Sequence, residues 1–385
     1  MFQRLAKGKV LAMVEKFPVV VLTGPRQSGK TTLAKMSFPE YRYVTLENPQ
    51  VREFAATDPE GFLREYDKHV IIDEAQNVPS LFSYIQQIVD ESNTPGHYIL
   101  SGSQNFFLLE KISQTLAGRV YVMELLPLCH TEIAQHKSIN IEEELLQGSY
   151  PRLFSMNIDP VDFYPGYIKT YVERDVRTIL NVHDLKLFRK FMTLLAHQAG
   201  QLFNASMIAK KIGVESKTVQ RWMSILETSY IAFTLEPWHK NLSKRVVKTP
   251  KLYFFDTGVL CSLLGIKDTE TLLSSSYKGA IFENYVLLEL LKNHKAKGEP
   301  WNYSFWRDSN QREIDLIMEN GNKLSLIEMK ASHTVKNEHI KGLHMLDSYL
   351  TEFNLKHILV NFYDMSQYRT FERIVSWKEI DTIGM

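Results

Sequence analysis

Cysteine is almost absent: Cys129 and Cys261 are the two in 385 residues. They lie far apart and without metal-ligand spacing, so they support neither a disulfide framework nor a zinc site. Cofactor chemistry therefore has to come from oxygen ligands. Long apolar runs are missing too, since no stretch approaches the roughly 18 to 20 residues that span a bilayer. The start, MFQRLAKGKVLAMVEKF, has no uninterrupted apolar segment followed by a small-residue cleavage site. A soluble, cytoplasmic protein with no membrane partner is expected. The absence of internal repeats and low-complexity tracts excludes a solenoid or a tail-like chain. Net charge is also small, +1, so phosphate binding does not dominate the chain as a whole.

What is present is an ordinary globular composition, 44% hydrophobic over a length too great for one comfortable core. Two or three domains are expected. Charge is uneven: residues 205–251 hold nine Lys or Arg against three Glu, a local excess of six, and the remainder is mildly acidic.

FPVVVLTGPRQSGKTTLAKMSF reads as an apolar strand, a glycine-rich loop and a helix, the context that gives G-x-x-x-x-G-K-[ST] its meaning. The loop runs Gly24, Pro25, Arg26, Gln27, Ser28, Gly29, with Lys30, Thr31 and Thr32 opening the helix. Its backbone N–H groups and the helix N-terminus would face phosphate oxygens. Lys30 would reach the β- and γ-phosphates of ATP, and Thr31 would offer its hydroxyl to Mg²⁺. HVIIDEAQ is a buried parallel-type strand ending in two acids, with Asp73 placed to hold Mg²⁺ and Glu74 to polarise the attacking water. Further strands, YRYVTLE, GHYILSGSQ and GRVYVMELLPL, alternate with helical stretches as in a doubly wound α/β domain. His69 and His97 precede strands and read as solvent-facing strand starts.

This set resembles the AAA-type ATPases. The resemblance implies that the strand ending in Ser101 lies between the two motif strands and that Ser101 or Ser103 senses the γ-phosphate. It also makes Arg119 a candidate arginine finger, in its own site or a neighbour's. LAGRVYVMELLPLCHTEI, GSYPRLF and YVERDV extend the resemblance over nearly the full chain, to a prokaryotic family of AAA-type ATPases with a C-terminal region of uncertain function. Glu173, Arg174 and Asp175 fit that pattern and read equally as a helix-surface charge cluster.

NASMIAKKIGVESKTVQRWMSILETSYIAFTLEPW has helix-turn-helix spacing, with a Ser cap at 216 and Val219, Met223, Ile225 and Leu226 on one side. Two strand-like runs follow, joined by basic HKNLSKRVVKTP. This predicts a winged-helix domain. If its second helix enters a DNA groove, Lys217, Gln220 and Arg221 meet phosphate or base edges, and Lys244, Arg245 and Lys248 grip backbone from the wing. A protein-interaction role is the alternative.

EIDLIMENGNKLSLIEMKA places charge inside an apolar hairpin. With Asn320-Gly321 as the turn, Asp315 falls opposite Leu326 and Glu313 opposite Glu328. Glu313, Asp315, Glu328 and Lys330 then share one face. Asp315 and Glu328 could meet at one divalent cation, Mg²⁺ or Mn²⁺, with Lys330 stabilising charge on phosphate. An acid followed by acid-x-Lys in a hairpin resembles the PD-(D/E)xK nuclease superfamily, and that resemblance adds Glu283 as the helix acid.

The expected architecture is α/β. An AAA-type P-loop ATPase core spans 1–130, a helical lid or connector 131–184, a winged helix 185–260, and a restriction-endonuclease-like α/β domain 261–385. The expected function is ATP hydrolysis with DNA binding and metal-dependent cleavage. The alternative is an ATP-dependent switch whose nuclease-like domain does not cut. A homo-oligomer or a protein partner is left open.

Overall fold

The computed structural model describes residues 2–92, 94–103, 115–172, 185–238, 249–300, 302–308, 310–370 and 372–384. The chain forms two compact units. One comprises Met1–Leu128, Tyr150–Arg152 and Lys292–Pro300; the other comprises Cys129–Ser149, Leu153–Leu291 and Trp301–Met385. The three parts into which the sequence divides residues 131–385 therefore share one unit, apart from two short returning segments. Among the described residues no helix is long and apolar enough to cross a membrane.

In the first unit β1 (Val19–Thr23), β2 (Arg42–Thr45), β3 (Val70–Asp73), β4 (Tyr98–Ser101) and β5 (Val120–Glu124) form a parallel sheet in the order β2-β3-β4-β1-β5. The three inner strands β1, β3 and β4 are buried along their whole length, with apolar clusters on both faces. Alternate residues serve different cores. Val19, Val21, Ile72 and Leu100 pack with Phe62 and Phe82. Val20, Leu22, Ile71 and Ile99 pack with Ala6, Val10 and Leu33. Loops after the strands end in capped helices. The Asn48 side chain accepts from Gln50 N at 2.9 Å ahead of the helix Pro49–Thr57, and Asp58 accepts from Gly61 N at 2.9 Å ahead of Pro59–Glu65. His69 is exposed, but His97 departs from its expected solvent-facing position. It is buried, stacked on Tyr98 with centroids 4.6 Å apart, with a ring nitrogen against the Asp67 carbonyl.

In the second unit the helix Ala205–Ile212 is capped by Asn204, which accepts from Met207 N at 2.9 Å, and stops at Gly213, whose φ is 80°. The helix Ser216–Thr228 follows. Ser216 is its first residue rather than its cap, a position held by Glu215. Val219, Trp222, Met223 and Leu226 are buried, with Trp222 against Phe188 and Phe191 at centroid distances of 5.5 and 5.3 Å. β6 (Ala232–Leu235) and β7 (Lys251–Phe254) then pair antiparallel.

A six-stranded mixed sheet completes the unit: β8 (Tyr303–Arg307), β9 (Glu313–Asn320), β10 (Lys323–Lys330), β11 (Asn354–Asn361), β12 (Gln367–Tyr368) and β13 (Glu372–Ser376), in the order β12-β13-β11-β10-β9-β8. The β9–β10 hairpin turns on Gly321-Asn322, not Asn320-Gly321, because Asn320 pairs with Lys323. Gly321 supplies the positive φ, 61°. This shift of two in register brings Asp315 opposite Glu328 instead of diagonal to it, and leaves unchanged which residues share a face.

The helix Lys278–Lys297 carries Asn284, which is completely buried and clasps β7: its Oδ1 accepts from Phe254 N at 2.7 Å, and its Nδ2 donates to Phe254 O at 2.8 Å. Asn284→Leu would leave both backbone groups unpaired. A loss of about 2–4 kcal/mol of unfolding free energy in urea is expected, and a loss within experimental error would show that the clasp does not hold β7.

Candidate functional site

The first site lies where β1 ends. Gly24 has φ of 139°, and a Cβ there would lie 2.3 Å from the Leu125 carbonyl oxygen, so only glycine lets the loop leave the strand. Gln27 and Gly29 also take positive φ, 63° and 95°, curling the loop back onto the helix Lys30–Ser37. Arg4 secures the curl, donating to Ser28 O and Leu126 O, both at 2.6 Å. Its contribution has no motif to announce it.

Inside the loop Lys30 Nζ donates to Gly24 O at 3.0 Å and Pro25 O at 2.7 Å. Burial pushes its ammonium down to about 8, against the pull of Glu74 and Asp73. Ser28 Oγ is buried with no hydrogen-bond partner among the described residues. A buried cation and an unused hydroxyl in a cradle of backbone N–H groups fit a polyphosphate. Pro25 is buried, Arg26 and Gln27 are half-buried, and Thr32 is exposed.

Asp73 ends β3 in a set of hydroxyl donors. Thr31 Oγ1 lies 3.1 Å from both carboxylate oxygens, Tyr43 Oη donates at 2.9 Å, and Ser101 Oγ donates to Oδ1. Thr31 and Asp73 thus sit where Mg²⁺ would be held beside the phosphates. Glu74 adopts a left-handed φ of 54°, uncommon for a residue with a Cβ. Its carboxylate accepts from Ser103 Oγ at 3.1 Å and from Gln76 Nε2. The two serines therefore divide, Ser101 to Asp73 and Ser103 to Glu74.

Arg119 does not belong to this site. Its carbonyl accepts from Val19 N at 3.4 Å, at the start of β1, so about 13 Å of strand separates it from the loop. Its guanidinium is held by Asp90 on the helix Leu81–Ser92, with Nη2 to Oδ2 at 3.0 Å. The finger reading within its own site is thereby corrected.

The second site is the acid cluster on the central sheet. Asp315 accepts from Met329 N at 2.8 Å and lies 3.7 Å from Lys330 Nζ, which is 2.5 Å from Glu328 Oε1. Glu283 reaches the same place, and one ligand atom each from Glu283, Glu313 and Asp315 lies within 4.8 Å of the others. Its oxygen is already taken, however, by Lys251 Nζ at 2.8 Å and Tyr253 Oη at 2.5 Å. Lys251 is 1% exposed and pairs with Glu313 as well, while Arg307 lies 3.4 Å from Glu313. Burial opposes charge on Lys251, but Glu283 and the other acids outweigh it and hold its pKa well above the usual range. Burial and Asp315 together push the Glu328 carboxyl up to about 8. Lys251, Lys330 and Arg307 thus each lie against at least one acid of the cluster.

The residues fit a metal only in part. Glu283 is committed to Lys251, whereas Glu328 Oε2 is buried with no partner among the described residues, leaving Asp315 and Glu328 as the carboxylates able to turn to a cation. Lys251 and Tyr253 were invisible to motif reasoning. The only signal was a lysine opening an otherwise apolar strand.

On the helix Ser216–Thr228, Lys217, Gln220 and Arg221 are all exposed on the face opposite Trp222. Lys244, Arg245 and Lys248 lie outside the described residues.

Comparison with known proteins matches three stretches of the chain. Residues 16–134 match the AAA domain family, 139–270 a domain of unknown function (DUF8612), and 278–380 another (DUF4143). The uncharacterized protein Rv2008c of Mycobacterium tuberculosis is 33% identical over 337 residues, covering 86% of this chain and 74% of its own. Mb2031c of Mycobacterium bovis matches to the same extent. Among solved structures, the Walker-type ATPase PABY2304 of Pyrococcus abyssi superposes with a TM-score of 0.45 at 13% identity, over 67% of this chain and 94% of its own.

Two outcomes are expected. Because Lys30 titrates near 8, ATP binding should take up close to one proton at pH 9 and almost none at pH 7, read by calorimetry in buffers of different ionisation enthalpy. Equal uptake at both would show that the phosphates do not meet Lys30. Lys251→Met should cost about 3–5 kcal/mol in urea unfolding by stranding buried carboxylates; a neutral result would mean that the acids do not depend on this lysine.

Proposed function

The chain belongs to the same family as its two mycobacterial relatives and carries an AAA-type P-loop ATPase domain, and from that premise we propose that it is an ATP-hydrolysing switch that binds DNA through its second unit without cutting it. The observation that carries the ATPase reading is the convergence of Lys30, Thr31, Asp73 and Glu74 at the ends of β1 and β3. Lys30 exchanges its two carbonyl partners for phosphate oxygens. Thr31 and Asp73 are the residues that would hold Mg²⁺, which would supply positive charge beside the phosphates. Glu74, held in place by Ser103 and Gln76, takes a proton from the attacking water.

The DNA-binding reading is supported by the exposed Lys217, Gln220 and Arg221 and by the basic excess of residues 205–251. The non-cutting reading is supported by Lys251: a cluster paired with its own lysines and arginine has little need of a divalent ion. Metal-dependent phosphodiester cleavage is a second reading, favoured by the unpartnered Glu328 Oε2. It would use Asp315 and Glu328 as ligands and Lys330 to stabilise charge. An Arg119 that acts at a neighbouring copy's nucleotide would have to leave Asp90.

Glu74→Gln should retain ATP binding and lose at least about 100-fold in turnover, while Lys30→Ala should lose binding. Hydrolysis unchanged in Glu74→Gln would overturn the assignment. Lys217→Ala and Arg221→Ala should each weaken DNA binding in low-salt anisotropy and reduce the salt slope by about one; unaltered affinity would remove this helix from the interface. Cleavage with Mn²⁺ that disappears in folded Asp315→Ala would replace the switch by the nuclease.

A further inference from the structure

The second unit contains a cluster that neither site uses. The 3₁₀ turn His344–Leu346 and Asp347 beyond it place His344 and Asp347 three residues apart on one side of a single turn. His357 on β11 and Glu372 on β13 are register partners on adjacent parallel strands. The four side chains meet. His344 Nδ1 lies 2.8 Å from Asp347 Oδ2, His357 Nε2 lies 2.7 Å from Asp347 Oδ1, and His344 Nε2 lies 2.9 Å from Glu372 Oε1. The two imidazoles are 4.1 Å apart between centroids, inclined by 30°.

This geometry has a chemical requirement. Glu372 accepts only if His344 carries its proton on Nε2, which in the neutral ring leaves the Nδ1 lone pair facing a carboxylate oxygen. Two acceptors at 2.8 Å repel unless a positive charge lies between them, either a second proton or a metal ion. One donor atom each from His344, Asp347 and His357 lies within 4.8 Å of the others, so small side-chain turns bring all three round one small ion. A carboxylate on the far nitrogen of a ligating histidine is the arrangement that orients such ligands and strengthens their basicity. His344 and Asp347 are open to solvent, at 30% and 39% side-chain exposure, so an ion can enter.

We propose that His344, Asp347 and His357 form a site for a borderline divalent transition metal, Zn²⁺ by its preference for two imidazoles and a carboxylate, with Glu372 as the positioning residue. The ion replaces the proton between His344 and Asp347 and fastens the 344–347 turn to β11 and β13. The site is separate from the acid cluster of Asp315 and Glu328, which offers oxygen ligands only.

The experiment uses the full chain, stripped with a chelator, dialysed, and titrated with Zn²⁺ by calorimetry, with X-ray absorption at the zinc edge. Expected are one ion per chain, an imidazole scattering signature, and unchanged binding in Asp315→Asn. His357→Gln and His344→Gln should abolish the site, and Glu372→Gln should weaken it by roughly 10- to 100-fold. Circular dichroism confirms the fold of each variant, and Glu372→Gln, which keeps all three ligands, serves if a histidine variant fails to fold. Absence of stoichiometric Zn²⁺ in the unaltered chain overturns the proposal, as does binding that survives in folded His357→Gln and His344→Gln or is unchanged in Glu372→Gln.

Discussion

A charge taken out of water must be matched within a few ångströms, and both candidate sites are organised by that constraint. Asp73 ends a strand buried along its whole length, and it is tolerable there because β2, β4 and the loop helix each send it a hydroxyl, from Tyr43, Ser101 and Thr31. Those donors also fix the relative heights of three strand ends and the helix that carries Lys30. Satisfying one carboxylate thereby assembles a nucleotide site.

The acid cluster answers the same constraint differently. Four carboxyl groups from a helix and two strands are each paired within the chain, with Lys251 on β7, Lys330 on β10 or Arg307 on β8. These acids face lysines and an arginine of the same chain. A pattern of residue types states which groups meet, whereas function depends on which charge each group faces.

The P-loop and the acids at the end of β3 were legible in the sequence because their chemistry is local: glycines, a lysine and a threonine within eight positions define the loop. That Glu313, Asp315, Glu328 and Lys330 would share a face was legible from strand alternation. The register was not, because Asn320-Gly321 and Gly321-Asn322 are both two-residue turns that differ by two in pairing, a shift that parity does not detect. Lys251 escaped notice because its partners lie far along the chain and its neighbours in sequence are apolar. That Arg119 lies away from its own nucleotide loop was not legible, because a motif gives no indication of which end of a strand faces the nucleotide. The histidine cluster drew no attention because its members come from a turn and two strands with no common spacing.

Lys251 differs from a bound ion in one further respect. An ion is in equilibrium with solution and leaves when its concentration falls, whereas an ammonium tethered to β7 remains at a fixed, high effective concentration. The acid cluster is thus compensated as soon as the chain folds, whatever the metal supply of its surroundings. At Glu283 and Glu313 a solution cation would have to outcompete a neighbour that cannot diffuse away.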